Sequence, residues 1–304
     1  MAMPADTPVI TNIRAVVASA PGRPAGVTLV ELEADRPIER YALDGHGARR
    51  AVLRLPGART RMPDGPIAVH DGLLVGLAVQ SGPEGIAIAL EMEHAPGMTV
   101  QKTPGFPARL TLSLARDPLW RIMRRRRLTV DPGHGGKDTG GRGPVNLLEK
   151  DMTLAVALKL AEALTDLGSV VTLTRDGDRL LGWRERCAMA AGSEAMVSLH
   201  TAWYRDPSVA GIGVRWLNPA GRPLAVRLHD ALLRKLPLPD RGSAEGGPPA
   251  GLRLPVVAVE FATISNPVEE GWLRSSTFLR RAAVAVANGL KDYFAALDGV
   301  PAAG

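Results

Sequence analysis

Three short apolar runs constrain this chain most, because each is closed by one chemically active side chain. Leu128-Thr129-Val130 leads into Asp131-Pro132-Gly133-His134-Gly135-Gly136; Ala195-Met196-Val197-Ser198-Leu199 ends at His200; Val256-Val257-Ala258-Val259 ends at Glu260. Runs so short and β-prone read as strands buried on both faces, the habit of a parallel sheet. Such strands deliver their last side chains to the crevice at the sheet's carboxyl edge, where open α/β folds bind ligands. Glycines on both sides of His134 remove bulk, so backbone and substrate can approach its ring.

A fourth group joins these three. Glu149 opens Glu149-Lys150-Asp151, immediately before the helical spacing Leu154, Ala157, Leu158, Ala161, Leu164. Two imidazoles and one carboxylate are the protein donors of a catalytic zinc with an open position, and a second carboxylate is left for proton transfer. Each residue also has a plainer reading. A histidine after a strand can be a structural group, and Glu149 can be a first-turn charge favoured by the helix dipole. Glu260 can be the ion-pair partner of Arg241 or Arg253. Asp131 can support the site from behind or simply form the Asp-Pro-Gly turn, and the turn is the expectation. His46, His70 and His94 stand beside turns and are expected at the surface, and His229 is expected on an exposed helix face.

From about 128 to 294 the chain resembles the zinc-dependent N-acetylmuramoyl-L-alanine amidases that cut bacterial peptidoglycan. The pieces come in family order: Asp131-Pro132-Gly133-His134-Gly135-Gly136-Lys137-Asp138, Glu149-Lys150-Asp151, Leu173-Thr174-Arg175-Asp176, Arg184-Glu185-Arg186, Ser198-Leu199-His200, Val259-Glu260 and Ile264-Ser265-Asn266-Pro267. The resemblance implies zinc held by His134, Glu149 and His200, with Glu260 as catalytic acid–base. Zinc would bring water into the reactive range near neutral pH and polarise the amide carbonyl. The bond cut would join N-acetylmuramic acid to L-alanine of the stem peptide. Two departures concern substrate contacts: the family usually follows its second histidine with Ala-Asn, where this chain has Thr201-Ala202, and commonly has an aromatic at the position of Thr263. Between His200 and Glu260 no long helical insert of the kind that occludes autoinhibited members is visible, and the Gly/Pro-rich stretch 242–251 reads as an exposed loop.

The first 115 residues follow a different pattern. Short alternating runs at 27–32, 50–55, 72–79, 86–91 and 110–114 are separated by Pro-Gly or Gly-Pro pairs, which argues an antiparallel sandwich or barrel. Ile13-Arg14, 27–33, Tyr41-Ala42-Leu43 and 51–56 resemble the AMIN domain, a β-sandwich that targets envelope proteins to peptidoglycan. The expected organisation is a β-sandwich over 1–118, a basic linker over 119–127 and an α/β catalytic domain over 128–298, its sheet twisted, mostly parallel and flanked by helices on both faces. The arginine-rich linker reads as a solvated connector, with a patch for anionic polymer or lipid as the alternative.

Composition bears on partners. A net charge of +6 favours acidic partners in general. With three Tyr and four Phe there is no stacking platform for nucleic acid, and peptidoglycan is the expected substrate. The single cysteine, Cys187, excludes an intrachain disulfide and is read as a buried filler in a helix. No run approaches the roughly 20 apolar residues of a membrane span. Met1-Ala2-Met3-Pro4-Ala5-Asp6 lacks the basic-then-apolar pattern of a secretory leader. The cell envelope or periplasm is nevertheless the expected location, with a removed leader, an upstream start or unconventional export left open. Two alternatives to the amidase stay in view: a zinc amidohydrolase or deacetylase acting on another envelope amide, and a non-catalytic peptidoglycan-binding protein.

Overall fold

Period-2 burial organises the first part of the chain. The computed structural model describes residues 7–247 and 251–300, so the reading of Met1–Asp6 lies outside the described residues. Ten strands follow in order: β1 (Val9–Ala20), β2 (Arg23–Ala34), β3 (Ala42–Asp44), β4 (Arg50–Pro56), β5 (Arg59–Thr60), β6 (Gly65–Ala68), β7 (Leu74–Gly82), β8 (Gly85–Met92), β9 (Met98–Thr103) and β10 (Ala108–Ala115). They form two five-stranded sheets, β5-β1-β2-β10-β9 and β3-β4-β8-β7-β6, antiparallel apart from β1 beside β5. Ala51, Leu53 and Leu55 of β4 and Ile86, Ile88 and Leu90 of β8 are buried while their neighbours are not, so each strand carries one apolar edge. Burying each leucine or isoleucine is worth about 1.5–3 kcal/mol, and this face holds the sheet.

The chain divides into two compact units between Arg121 and Ile122. Residues 119–127 are no open linker. Pro118, three residues past the end of β10, sits in the first turn of helix α1 (Asp117–Met123), where proline's fixed φ and missing N–H do no harm. Leu119, Ile122 and Met123 are buried, and Arg127 opens the next strand. Arg121, Arg124, Arg125 and Arg127 are exposed, as a solvated run requires. Arg126 is the exception: it bonds Glu194 and Asp298 and lies over the Phe294 ring.

The second unit runs β11 (Arg127–Pro132), α2 (Glu149–Asp166), β12 (Val170–Leu173), α3 (Trp183–Met189), β13 (Ala195–Ala202), β14 (Ile212–Trp216), α4 (Arg222–Lys235), β15 (Asp240–Glu245), β16 (Val256–Thr263), α5 (Pro267–Leu273) and α6 (Ser276–Leu297). Its sheet is ordered β12-β11-β13-β16-β14-β15, and every pairing is parallel except β14 with β16. Helix α6 packs between α2 and α4 over the sheet, and α3 packs on the side that carries Asp131, Met196 and Ser198. Two register facts place the site: Asp131 lies opposite Ser198, and His200 lies opposite Glu260.

Several expectations are corrected here. The stretch 242–251 is not all loop, because Asp240–Glu245 is the edge strand β15; its half-exposed polar residues hide it from a hydrophobicity reading, and Pro248–Ala250 lie outside the described residues. His229 is mostly covered, at 13% side-chain exposure, with Nε2 2.7 Å from Asp240 Oδ1. His46 is exposed, whereas His70 and His94 are half-buried. Cys187 is half-buried in α3 rather than a core filler. Among the described residues no helix is long and apolar enough to cross a membrane.

Candidate metal centre

His134, Glu149 and His200 come together, each offering one donor atom, all within 4.8 Å of one another. The loop just after β11 supplies the first, the first turn of α2 the second and the end of β13 the third. Glu149 Oε1 is central, 3.3 Å from His134 Nε2 and 3.1 Å from His200 Nδ1. Backbone amides fix its orientation: Thr201 N donates to Oε1 at 2.9 Å and Gly141 N to Oε2 at 2.8 Å. Burial alone would raise this carboxyl, but hydrogen bonds from the two imidazoles and their charge outweigh it and hold the group far below the usual carboxylate range. Burial would likewise lower His134, yet Glu149 and Asp138 together raise it.

Close packing around these rings explains the glycines. A Cβ on Gly133 would collide with the His200 imidazole, and one on Gly140 would stand 2.5 Å from His134 Cδ2 and 2.8 Å from Glu149 Oε2. His134 itself has φ +60°, a left-handed conformation that costs a non-glycine residue about 1–3 kcal/mol. The fold sustains that strain through Arg186, whose Nη2 donates to His134 O at 2.8 Å.

The donor set suits zinc. Two imidazole nitrogens and a carboxylate oxygen make three protein ligands with room for a fourth. Metal-binding imidazoles also need their outer nitrogen anchored to an acceptor. His134 Nδ1 is 2.9 Å from Asp138 Oδ2, and His200 Nε2 is 3.2 Å from Ser198 Oγ. Both outer nitrogens are therefore occupied while both inner ones face Glu149.

Glu260 stands beside His200 in the sheet but outside this three-residue cluster. Its carboxylate takes the plainer option raised from the sequence, an ion pair with Arg241 at 2.5 Å, and adds Arg215 at 3.5 Å; the named alternative Arg253 is not its partner. The pair lies over Gly213, whose missing side chain leaves the room. A small polar cavity of about 60 Å³ is lined here by Tyr204, Arg215, Arg241 and Glu260.

Asp131 is not the turn former expected. It is 1% exposed, and its carboxylate accepts from Thr174 Oγ1 at 2.5 Å, Arg186 Nη1 at 2.6 Å and Ser198 Oγ at 2.6 Å. The guanidinium of Arg175, 1% exposed, bonds the carbonyls of Pro132, Gly133 and Lys150, tying the His134 loop to the start of α2, a role that its motif alone does not disclose. Glu270 does the same for the loop before Glu149, accepting from Val145 N and Leu147 N. Asp138 and Ser198 had legible signals, four residues past one histidine in a glycine turn and two before the other on the same strand face.

The family model described as N-acetylmuramoyl-L-alanine amidase matches residues 128–292, more than half of the 304, and the chain belongs to that family. The probable cell wall amidase LytH of Staphylococcus epidermidis is 31% identical over 187 residues, which cover 60% of this chain and 62% of LytH. The chain thus spans less than two thirds of that relative's length. Among solved structures, the amidase AmiC2 of Nostoc punctiforme is 30% identical with a TM-score of 0.53, over 55% of this chain and 96% of that one. The catalytic domain of CwlV from Bacillus (Paenibacillus) polymyxa is 29% identical with a TM-score of 0.54, over 57% and 98%.

Proposed function

We propose that this protein is a zinc-dependent peptidoglycan amidase that hydrolyses the amide between N-acetylmuramic acid and L-alanine, with His134, Glu149 and His200 as metal ligands and Glu260 as acid–base. The observation that carries the reading is the convergence of those three donors, with both outer imidazole nitrogens held by acceptors. When bound, zinc supplies Lewis acidity, which polarises the scissile carbonyl and makes water a competent nucleophile near neutral pH. The residues do the rest. Asp138 and Ser198 keep the imidazoles aimed, and Glu149 neutralises charge at the centre. Glu260, its carboxylate oriented by Arg241 and Arg215, accepts a proton from water and returns it to the departing L-alanine nitrogen. The β-unit serves, on this reading, as an AMIN-like module that holds the enzyme on the wall, and the site of action is the cell envelope.

The test is digestion of purified peptidoglycan by zinc-loaded protein, with products resolved by mass spectrometry. Stem peptides with a free L-alanine amino group should appear with the wild type and not with His200→Ala. Absence of such peptides, or cleavage at another bond, overturns the assignment.

A further inference from the structure

The two histidines of the metal centre are oriented by different means, and His200 requires an account of its protons. His134 meets Asp138 directly, and that carboxylate is half-exposed. The outer nitrogen of His200 meets instead a hydroxyl, Ser198 Oγ, 3.2 Å from Nε2. Ser198 is 2% exposed and lies 2.6 Å from Asp131 Oδ2, while Arg186 Nη1 lies 2.6 Å from Asp131 Oδ1.

An ionised carboxylate can only accept hydrogen bonds, and a serine hydroxyl has one proton to give. Ser198 must spend that proton on Asp131. It can then only accept from His200, so Nε2 keeps its hydrogen, and Nδ1 is the nitrogen whose lone pair is free for a metal once the hydrogen it shares with Glu149 is displaced. Nδ1 is the nitrogen that faces Glu149. From this ordering we infer that Arg186, Asp131 and Ser198 form a positioning relay that fixes the tautomer in which His200 can bind a metal, and that the same Arg186, through the carbonyl of His134, holds the other histidine in its strained conformation. None of the three hydrogen-bonds a donor atom of the centre. The inference rests on the metal reading above, and its test separates the two.

The test is zinc affinity by chelator competition on the folded protein, with ring 15N chemical shifts of His200 in the zinc-loaded wild type. Ser198→Ala should weaken zinc binding roughly 10- to 100-fold, the usual effect of removing a ligand's outer partner. Ser198→Thr, which keeps the hydroxyl, should restore most of it. Asp131→Asn should also weaken binding despite its unchanged shape, because its amide can donate to Ser198 and turn the serine proton toward Nε2. Thr129→Val is the control: Thr129 is equally buried on β11 and shares its hydroxyl with Ser193, away from the centre, so affinity should not move. In the wild type, the shifts should show Nε2 protonated. The relay is overturned if the shifts show Nδ1 protonated, if Ser198→Ala binds zinc like the wild type, or if Thr129→Val weakens binding as much. A wild type that takes up no zinc overturns the metal reading itself, and the relay with it.

Discussion

Among the described residues, each unit of this molecule buries an arginine–aspartate pair of similar chemistry, and the two pairs are wired to different things. In the β-unit Arg116 and Asp71 lie 3.4 Å apart, their side chains 8% and 9% exposed. Asp71 accepts from Leu73 N, Leu74 N and Thr28 Oγ1, and Arg116 donates to Asp71 O and Thr28 Oγ1. That network closes on the turn before β7. In the α/β unit Arg186 and Asp131 are as deeply buried, but their further bonds run to Ser198 and to the carbonyl of His134, and so to both histidines of the centre. A buried pair is weak evidence for stability in itself, since desolvation offsets much of its attraction. Its meaning is decided by what its remaining hydrogen bonds hold.

The largest effect that can test this difference belongs wholly to the α/β unit. Glu260→Gln should lower peptidoglycan cleavage by about 10²–10⁴-fold while zinc content and melting temperature stay near wild type. Gln keeps the shape and a hydrogen-bonding oxygen for Arg241 but cannot shuttle a proton. Wild-type turnover per folded molecule would reduce Glu260 to the ion-pair partner it is seen to be. Next in size come the two aspartates. Asp131→Ala and Asp71→Ala each remove the carboxylate paired with a buried guanidinium and should cost about 3–5 kcal/mol in their own unit, read as protection by segment-resolved hydrogen exchange. Only the first should also weaken zinc binding. Equal losses of zinc affinity would erase the distinction between the pairs. Removing zinc with a chelator should, by the same logic, loosen β11 and β13 and leave protection of β4 and β8 unchanged, because binding energy stabilises only the unit that holds the ion.

The same contrast explains what could be read in advance. His134, Glu149, His200 and Glu260 all sit at ends of periodic segments, where one polar residue after an apolar run is conspicuous, and the β-unit announces itself by alternation at Ala51, Leu53 and Leu55. What stayed hidden is non-local or polar. Arg186 reaches Asp131 across 55 residues of chain, and nothing at either position marks the contact. Helix α1 stayed hidden because the arginines around it read as a connector, and only the burial of Leu119, Ile122 and Met123 reveals it. Strand β15 escaped because an edge strand with no core face, such as Asp240–Glu245, carries no apolar period.

The smallest expected effect probes a carboxyl that joins neither network. Glu269, in the first turn of α5, is 2% exposed; its Oε2 accepts from Thr263 N at 2.6 Å, and its Oε1 has no hydrogen-bond partner among the described residues. Burial raises its pKa above the ordinary 4.5, and the amides of Thr263 and Gly211 and the charge of Arg241 only partly offset this. A raised carboxyl means that the folded state binds more protons than the unfolded one between the unfolded pKa and the folded one. Stability contributed by this group is therefore fully present below about pH 4.5 and is lost as pH rises through the folded value. Glu269→Gln cannot titrate, so its stability relative to wild type should improve with rising pH across that window and level off beyond it. Urea unfolding of both proteins at a series of pH values, with chelator present so that ligand protonation at the metal centre is common to both, measures the difference. A difference that does not change with pH, or that changes in the opposite sense, shows that Glu269 is charged in the fold without cost, its burial fully compensated by the amides of Thr263 and Gly211 and by Arg241.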